Sequence, residues 1–136
     1  MASLFTPTAR FGTVDGSNLQ VGRDAIIEYF RSRFRGPRFH SMNEHLVEWD
    51  EGDTDRASGV VTGHSEAWSG EELYVAAIRY HDRYSRIDGR WLFEERMLGF
   101  LYLVPASDYP QILGKRNRIK MGDVWCEGNW PTAAVE

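Results

Sequence analysis

The chain has 136 residues, 42% apolar and 26% charged, with a net charge of −4. This is one domain's worth of globular chain without the basic surplus that neutralises phosphates, which excludes disorder, fibrous repeats and a nucleic-acid surface. A lone cysteine, Cys126, excludes an internal disulfide framework, and no stretch approaches the roughly 20 apolar residues of a membrane span.

In chain order, the opening MASLFTPTARF has neither the basic start nor the apolar run of a secretory leader, so a cytoplasmic location is expected. Residues 9–14 read as a short strand closed by a turn through Asp15, Gly16, Ser17 and Asn18. Ile26, Ile27, Phe30 and Phe34 then fall on one stripe of an amphipathic helix over about 22–35, which Gly36-Pro37 stops. Four long strands follow, over 39–50, 56–68, 72–87 and 90–104. Turn signals at Glu51-Gly52-Asp53, Ser69-Gly70 and Asp88-Gly89 join them into an antiparallel meander. Strands this long must twist and curl, with Gly59, Gly63 and Gly99 as sites for bulges or bends. A helix laid into such a sheet gives an α+β cup. The tail over 105–136 is irregular, with a short helix near 107–114, and the whole chain forms a single domain with its core over about 4–104.

Metal and cofactor chemistry find no support. There is no His-x-His pair, no H-E-x-x-H, no G-x-G-x-x-G and no P-loop, and G-x-S-x-G is also absent. Acid–base chemistry without a cofactor remains, or plain binding. The histidines His40, His45, His64 and His81 all fall on predicted strands. In strict alternation His40 and His45 face opposite sides, so at most one shares the cup interior unless a bulge intervenes. His64 shares a mixed face with Val60, Thr62, Glu66 and Trp68. The opposite face carries Ala57, Gly59, Val61, Gly63, Ser65 and Ala67, small residues suited to lie under something bulky. One face of the third long strand carries Tyr74, Ala76, Ile78, Tyr80, Asp82 and Tyr84, an aromatic wall that grows polar towards one end. Its other face carries Arg79, His81, Arg83 and Ser85. Asp82 and Arg96 are placed to pair across the hairpin, a contact with a structural reading as well as a functional one. The aromatic content of 13% likewise serves either to fill a core or to line an apolar pocket.

The phrase G-R-D-A-I-I-E-Y-F, a strand opening with His40, and R-Y-H-D-R-Y-S-R-I-D-G-R-W-L-F-E-E-R together resemble the SnoaL-like branch of the nuclear transport factor 2-like superfamily, over about 4–104. The D-G-x-W-x-F-x-x-R hairpin (Asp88, Gly89, Trp91, Phe93, Arg96) is the most specific part. The resemblance implies a curled antiparallel sheet wrapping helices into a cone. Among the enzymes of that superfamily, the chain resembles scytalone dehydratase and hexachlorocyclohexane dehydrochlorinase, and more distantly ketosteroid isomerase. It implies His40 as the base, His64 as a second pocket histidine and Arg96 as a pocket arginine. Family members begin with a long helix that supplies the Asp or Tyr orienting the histidine, whereas here Met1-Ala2-Ser3 alone precede Leu4. Asp15 is a candidate replacement, lying where ketosteroid isomerases carry their base.

The expected function is that of a cofactor-free lyase or isomerase acting by general acid–base catalysis on a small hydrophobic or cyclic substrate. His40 would take the proton, with Arg96 or Tyr80 stabilising the developing negative charge and Asp82, Tyr84 and Ile78 lining the pocket. The alternative is a non-catalytic small-molecule-binding or protein-interaction domain of the same fold. No nucleic acid or membrane is expected as a partner. A homodimer or higher homo-oligomer is expected, through an outer sheet face on which Arg79, His81, Arg83 and Ser85 alternate with His45, Val47 and Trp49.

Overall fold

Each of the three hairpins turns on a glycine with left-handed backbone, Gly52, Gly70 and Gly89, at φ of 78°, 64° and 75°. Asp88 adds a second left-handed residue at φ 50°, as a tight two-residue connection demands. The structure, a computed structural model, describes residues 2–33 and 35–130, without the side chain of Ala2; Phe34 of the apolar helical stripe lies outside the described residues. Its elements are β1 (Phe5–Thr13), β2 (Gln20–Val21), α1 (Arg23–Arg33), β3 (Arg38–Trp49), β4 (Arg56–Ser69), β5 (Glu72–Ile87), β6 (Arg90–Pro105), β7 (Asn117–Met121) and β8 (Val124–Glu127). Short 3-10 turns occupy Ala2–Leu4 and Ala106–Gly114.

The sheet order is β2-β1-β6-β5-β4-β3, with the hairpin β7–β8 attached to the far end of β6. β3 to β6 form the expected antiparallel meander, and the sheet is curled and unclosed. Two pairings were not expected: β1 and β7 both run parallel to β6. The fold is α+β, with α1 laid against β1 and β2 at one side of the cup. Ile26 is fully buried, and with Tyr29 and Phe30 it packs on Phe5, Ala9 and Phe11 of β1 and on Phe93 of β6. The Phe11 and Phe30 rings meet edge-on at 4.8 Å, and Arg23 Nε and Nη2 both donate to the Phe5 carbonyl, at 2.9 and 2.6 Å. The sheet face that carries Phe93 towards α1 is the inner face.

A second core lies on the outer face, where Val75, Tyr102 and Val104 pack under Ile112 of the 3-10 segment, with Trp125 alongside. Residues 106–125 of the tail therefore cover one end of the sheet. Its short helix is 3-10 rather than α, with Pro110 inside it removing a backbone donor from the ladder. Among the described residues no helix is long and apolar enough to cross a membrane.

Three bulges bend the long strands. In β3 the register moves from Met42↔Gly63 to Glu44↔Thr62, leaving Asn43 as an extra residue. In β6 the shifts against β5 leave Glu94 and Leu101 unpaired. A bulge breaks the two-residue alternation of a strand, and at Asn43 it has two consequences. His40 and His45 come to the same, inner face, paired with Ser65 and Val61 of β4. The surface expected for dimerisation divides as well: His45, Val47 and Trp49 are on the inner face, while Arg79, His81, Arg83 and Ser85 are on the outer one.

Candidate functional site

On the inner face, directly opposed residues form continuous rows across the strands. Val47, Gly59, Asp82 and Arg96 form one row, and His45, Val61, Tyr80 and Leu98 form the next. The small residues of β4 do lie under a bulky one. The Tyr84 ring leans across Gly59, where an added Cβ would sit 2.8 Å from the ring and from the hydroxyl. The missing side chain at Gly59 is what lets the tyrosine reach across the sheet.

A polar network runs through this region. Arg96 Nε and Nη2 donate to Asp82 Oδ1 and Oδ2, both at 2.8 Å. The Asp82 side chain is fully buried, while that of Arg96 is 22% exposed. The guanidinium sits between the Tyr80 and Phe93 rings, 4.1 and 4.2 Å from their centroids. Bidentate pairing combined with ring stacking fixes an arginine's plane. Two of its five N–H groups are used by Asp82, and the other three have no hydrogen-bond partner among the described residues. Tyr84 Oη donates to Asp82 Oδ2 at 2.8 Å, and His45 Nε2 lies 2.9 Å from the same hydroxyl. The network thus leads from a buried carboxylate through a half-buried phenol to an exposed imidazole.

The two phenols keep their protons. Burial raises the pKa of Tyr80, and burial together with the hydrogen bond to Asp82 raises that of Tyr84. The Tyr80 hydroxyl has no hydrogen-bond partner among the described residues. Further along the same face, Trp49 and Trp91 meet at 5.5 Å. They line an open cleft of about 390 Å³ together with Arg86 and Thr54.

Tyr80, Asp82, Tyr84 and Arg96 therefore come together as one cluster, with Ile78 buried two residues along the same face. The other expected site residues lie elsewhere. The His40 row reaches β5 at Ala76 and the Arg96 row reaches it at Asp82. Six residues at roughly 3.3 Å each place His40 about 20 Å along the sheet from the arginine. His40 has no hydrogen-bond partner among the described residues, and burial followed by the charge of Arg38 lowers its pKa. His64 is on the outer face, with Nε2 3.3 Å from Glu66. Asp15 is held in the β1–β2 loop, where Thr13 Oγ1, Ser17 N and Ser17 Oγ all donate to it. The Thr13 hydroxyl, then the Ser17 amide, hold its carboxyl down to about 2. A carboxylate so committed is a weak proton acceptor.

Sequence reasoning did not place His45 in this cluster. Its alternation argument was sound, and the bulge at Asn43 reversed it. Among the described residues no three His, Cys, Asp or Glu side chains converge as a metal site would require.

Comparison with known proteins gives three kinds of result. A family profile described as a SnoaL-like domain matches residues 1–97. No curated protein matches. Solved structures do. A candidate scytalone dehydratase from Novosphingobium aromaticivorans superposes with a TM-score of 0.66 at 17% identity, over 76% of this chain and 70% of that one. A hexachlorocyclohexane dehydrochlorinase of type 2 gives 0.67 at 19%, over 76% and 72%. A candidate aromatic ring hydroxylase from Novosphingobium aromaticivorans gives 0.67 at 24%, over 79% and 77%. At these identities the likeness is one of fold.

Proposed function

Because the chain belongs to the SnoaL-like domain family, we propose that it is a cofactor-free lyase or isomerase working by general acid–base catalysis on a small hydrophobic or cyclic substrate at the inner face. A histidine of β3 takes a proton from carbon. Arg96 and Tyr80 supply the N–H and O–H groups that meet the negative charge as it develops, and such charge stabilisation often does more for the rate than any other effect. The ring of the substrate lies against the apolar stretch from Val47 towards Trp49 and Trp91.

One observation carries this reading: Arg96 is fixed by a fully buried carboxylate and two aromatic rings, yet keeps three unspent N–H donors. An arginine that served only to neutralise Asp82 would need no stacking that orients its free edge. The superpositions on a candidate scytalone dehydratase and on a hexachlorocyclohexane dehydrochlorinase agree with elimination chemistry, since the second is named for loss of hydrogen chloride.

We further propose that the protein is a homo-oligomer. β3 is an edge strand, with Phe39 and Leu46 at 58% and 68% exposure, and an apolar edge strand of that length favours pairing with a second copy.

The test is incubation with a polychlorinated cyclohexane and with a cyclic β-hydroxy ketone in deuterium oxide. Halide release, water loss and deuterium incorporation are followed. Turnover or exchange that disappears in Arg96→Leu, with the fold retained by circular dichroism, is the expected result. Binding of both probes without turnover or exchange overturns the proposal in favour of a non-catalytic binding domain.

A further inference from the structure

We propose that His45, five residues beyond the histidine that opens β3, is the proton acceptor of this site, and that its Nδ1 is the accepting atom. The proposal rests on the acid–base reading of the inner face and names the residue and atom that this reading leaves open.

Counting protons along the network fixes the tautomer. Asp82, held by two Arg96 N–H groups, accepts and does not donate. The single proton of Tyr84 therefore goes to Asp82 Oδ2. With its proton so used, Tyr84 Oη can only accept from His45 Nε2, 2.9 Å away. A neutral imidazole has one N–H, so it is on Nε2, and Nδ1 keeps its lone pair. Nδ1 has no hydrogen-bond partner among the described residues, and the ring is exposed on the inner face. Tyr84 meets the ring edge-on, with centroids 6.0 Å apart, which fixes its plane.

No other histidine is arranged this way. His40 has no partner to select a tautomer and is remote from Arg96 along the sheet. His64 and His81 face outwards. Tyr84 and Asp82 are then positioning residues: they orient the ring, hold its tautomer and place negative charge behind the imidazolium once it forms. In the elimination step the C–H bond breaks and its proton passes to Nδ1. The freed electron pair forms the new C=C bond, and the leaving group departs from the adjacent carbon with its own bonding pair. In an isomerisation the imidazolium returns the same proton to a different carbon.

Two experiments test the proposal. The first needs no substrate: long-range proton–nitrogen correlation on nitrogen-15-labelled protein is expected to show the His45 tautomer with its proton on Nε2, slow to exchange with water. Tyr84→Phe is expected to abolish that protection. A proton on Nδ1, or protection unchanged in Tyr84→Phe, overturns the proposal. The second uses the chlorinated cyclohexane probe. His45→Gln is expected to lower turnover about 10²–10⁴-fold, and Tyr84→Phe to lower kcat with KM unchanged. His40→Gln is expected to cost far less than His45→Gln, and His81→Gln on the outer face to change nothing. A large loss in His40→Gln with His45→Gln near wild type overturns the proposal and leaves the acid–base reading standing. Wild-type protein that binds the probe without turning it over overturns both.

Discussion

Gly59→Ala reverses an ordinary expectation, and so tests the packing on which the site depends. The backbone of Gly59 is not left-handed, so an alanine meets no backbone obstacle there. At such a strand position alanine is normally better than glycine by roughly 0.5–1 kcal/mol. Here its Cβ would sit 2.8 Å from Tyr84 Cε2 and Oη and 3.0 Å from the Leu46 carbonyl. Comfortable carbon contacts begin near ~3.5 Å, so the tyrosine must retreat by somewhat less than about 1 Å. Forcing an extra methyl into a packed site costs about 1–3 kcal/mol. A displaced Tyr84 also weakens its bond to the Asp82 carboxylate, a charge-assisted hydrogen bond worth about 1.5–3 kcal/mol. After the intrinsic gain is subtracted, a net loss of about 2–4 kcal/mol is expected. Urea unfolding followed by tryptophan fluorescence measures it, as a lower midpoint at unchanged m. In a Tyr84→Ala background the ring is gone, and Gly59→Ala should then cost less than about 1 kcal/mol. A neutral or stabilising effect of Gly59→Ala in the wild-type background would refute the close approach of Tyr84 to the sheet, and with it the network to His45.

Arg96→Leu leaves the buried Asp82 carboxylate with the Tyr84 donor alone, and is expected to cost about 3 kcal/mol in denaturant unfolding; a loss under about 1 kcal/mol would show that the pair is not sequestered from water. Asp15, held at about 2 against an ordinary 3.8, contributes stability that is complete above its unfolded value and lost as pH falls towards 2. Asp15→Asn should therefore flatten the acid limb of a stability–pH curve, and an unchanged limb would contradict the Thr13–Asp15–Ser17 bonding. His40 has its pKa below the ordinary 6.5, so the unfolded chain binds that proton more readily and stability falls as pH drops below about 6.5. His40→Gln should lessen this decline, measured as thermal midpoints between neutral and acid pH. Light scattering is expected to return at least a dimer mass, and a monomer at every concentration would remove the role given to the β3 edge.

The parallel pairing of β1 with β6 shows where sequence reading stops. Alternation within β4 and β5 was legible because a two-residue period follows from each residue's own place in its strand. That is why Tyr80, Asp82 and Tyr84 could be put on one face and Arg79, His81 and Arg83 on the other. The hairpin turns were legible for a similar reason, since Gly52, Gly70 and Asp88-Gly89 supply the backbone freedom the turns need. Parallel partners join segments far apart in the chain, and neither β1 nor β7 carries a local mark of the strand it will join. The bulge at Asn43 is likewise a property of two strands in register. It appears when β3 and β4, curling together, lose step with one another. The sequence alone thus determined the meander, its turns and the pairing of Asp82 with Arg96. Tertiary structure decided which histidine meets them, because one inserted residue turns the rest of a strand over.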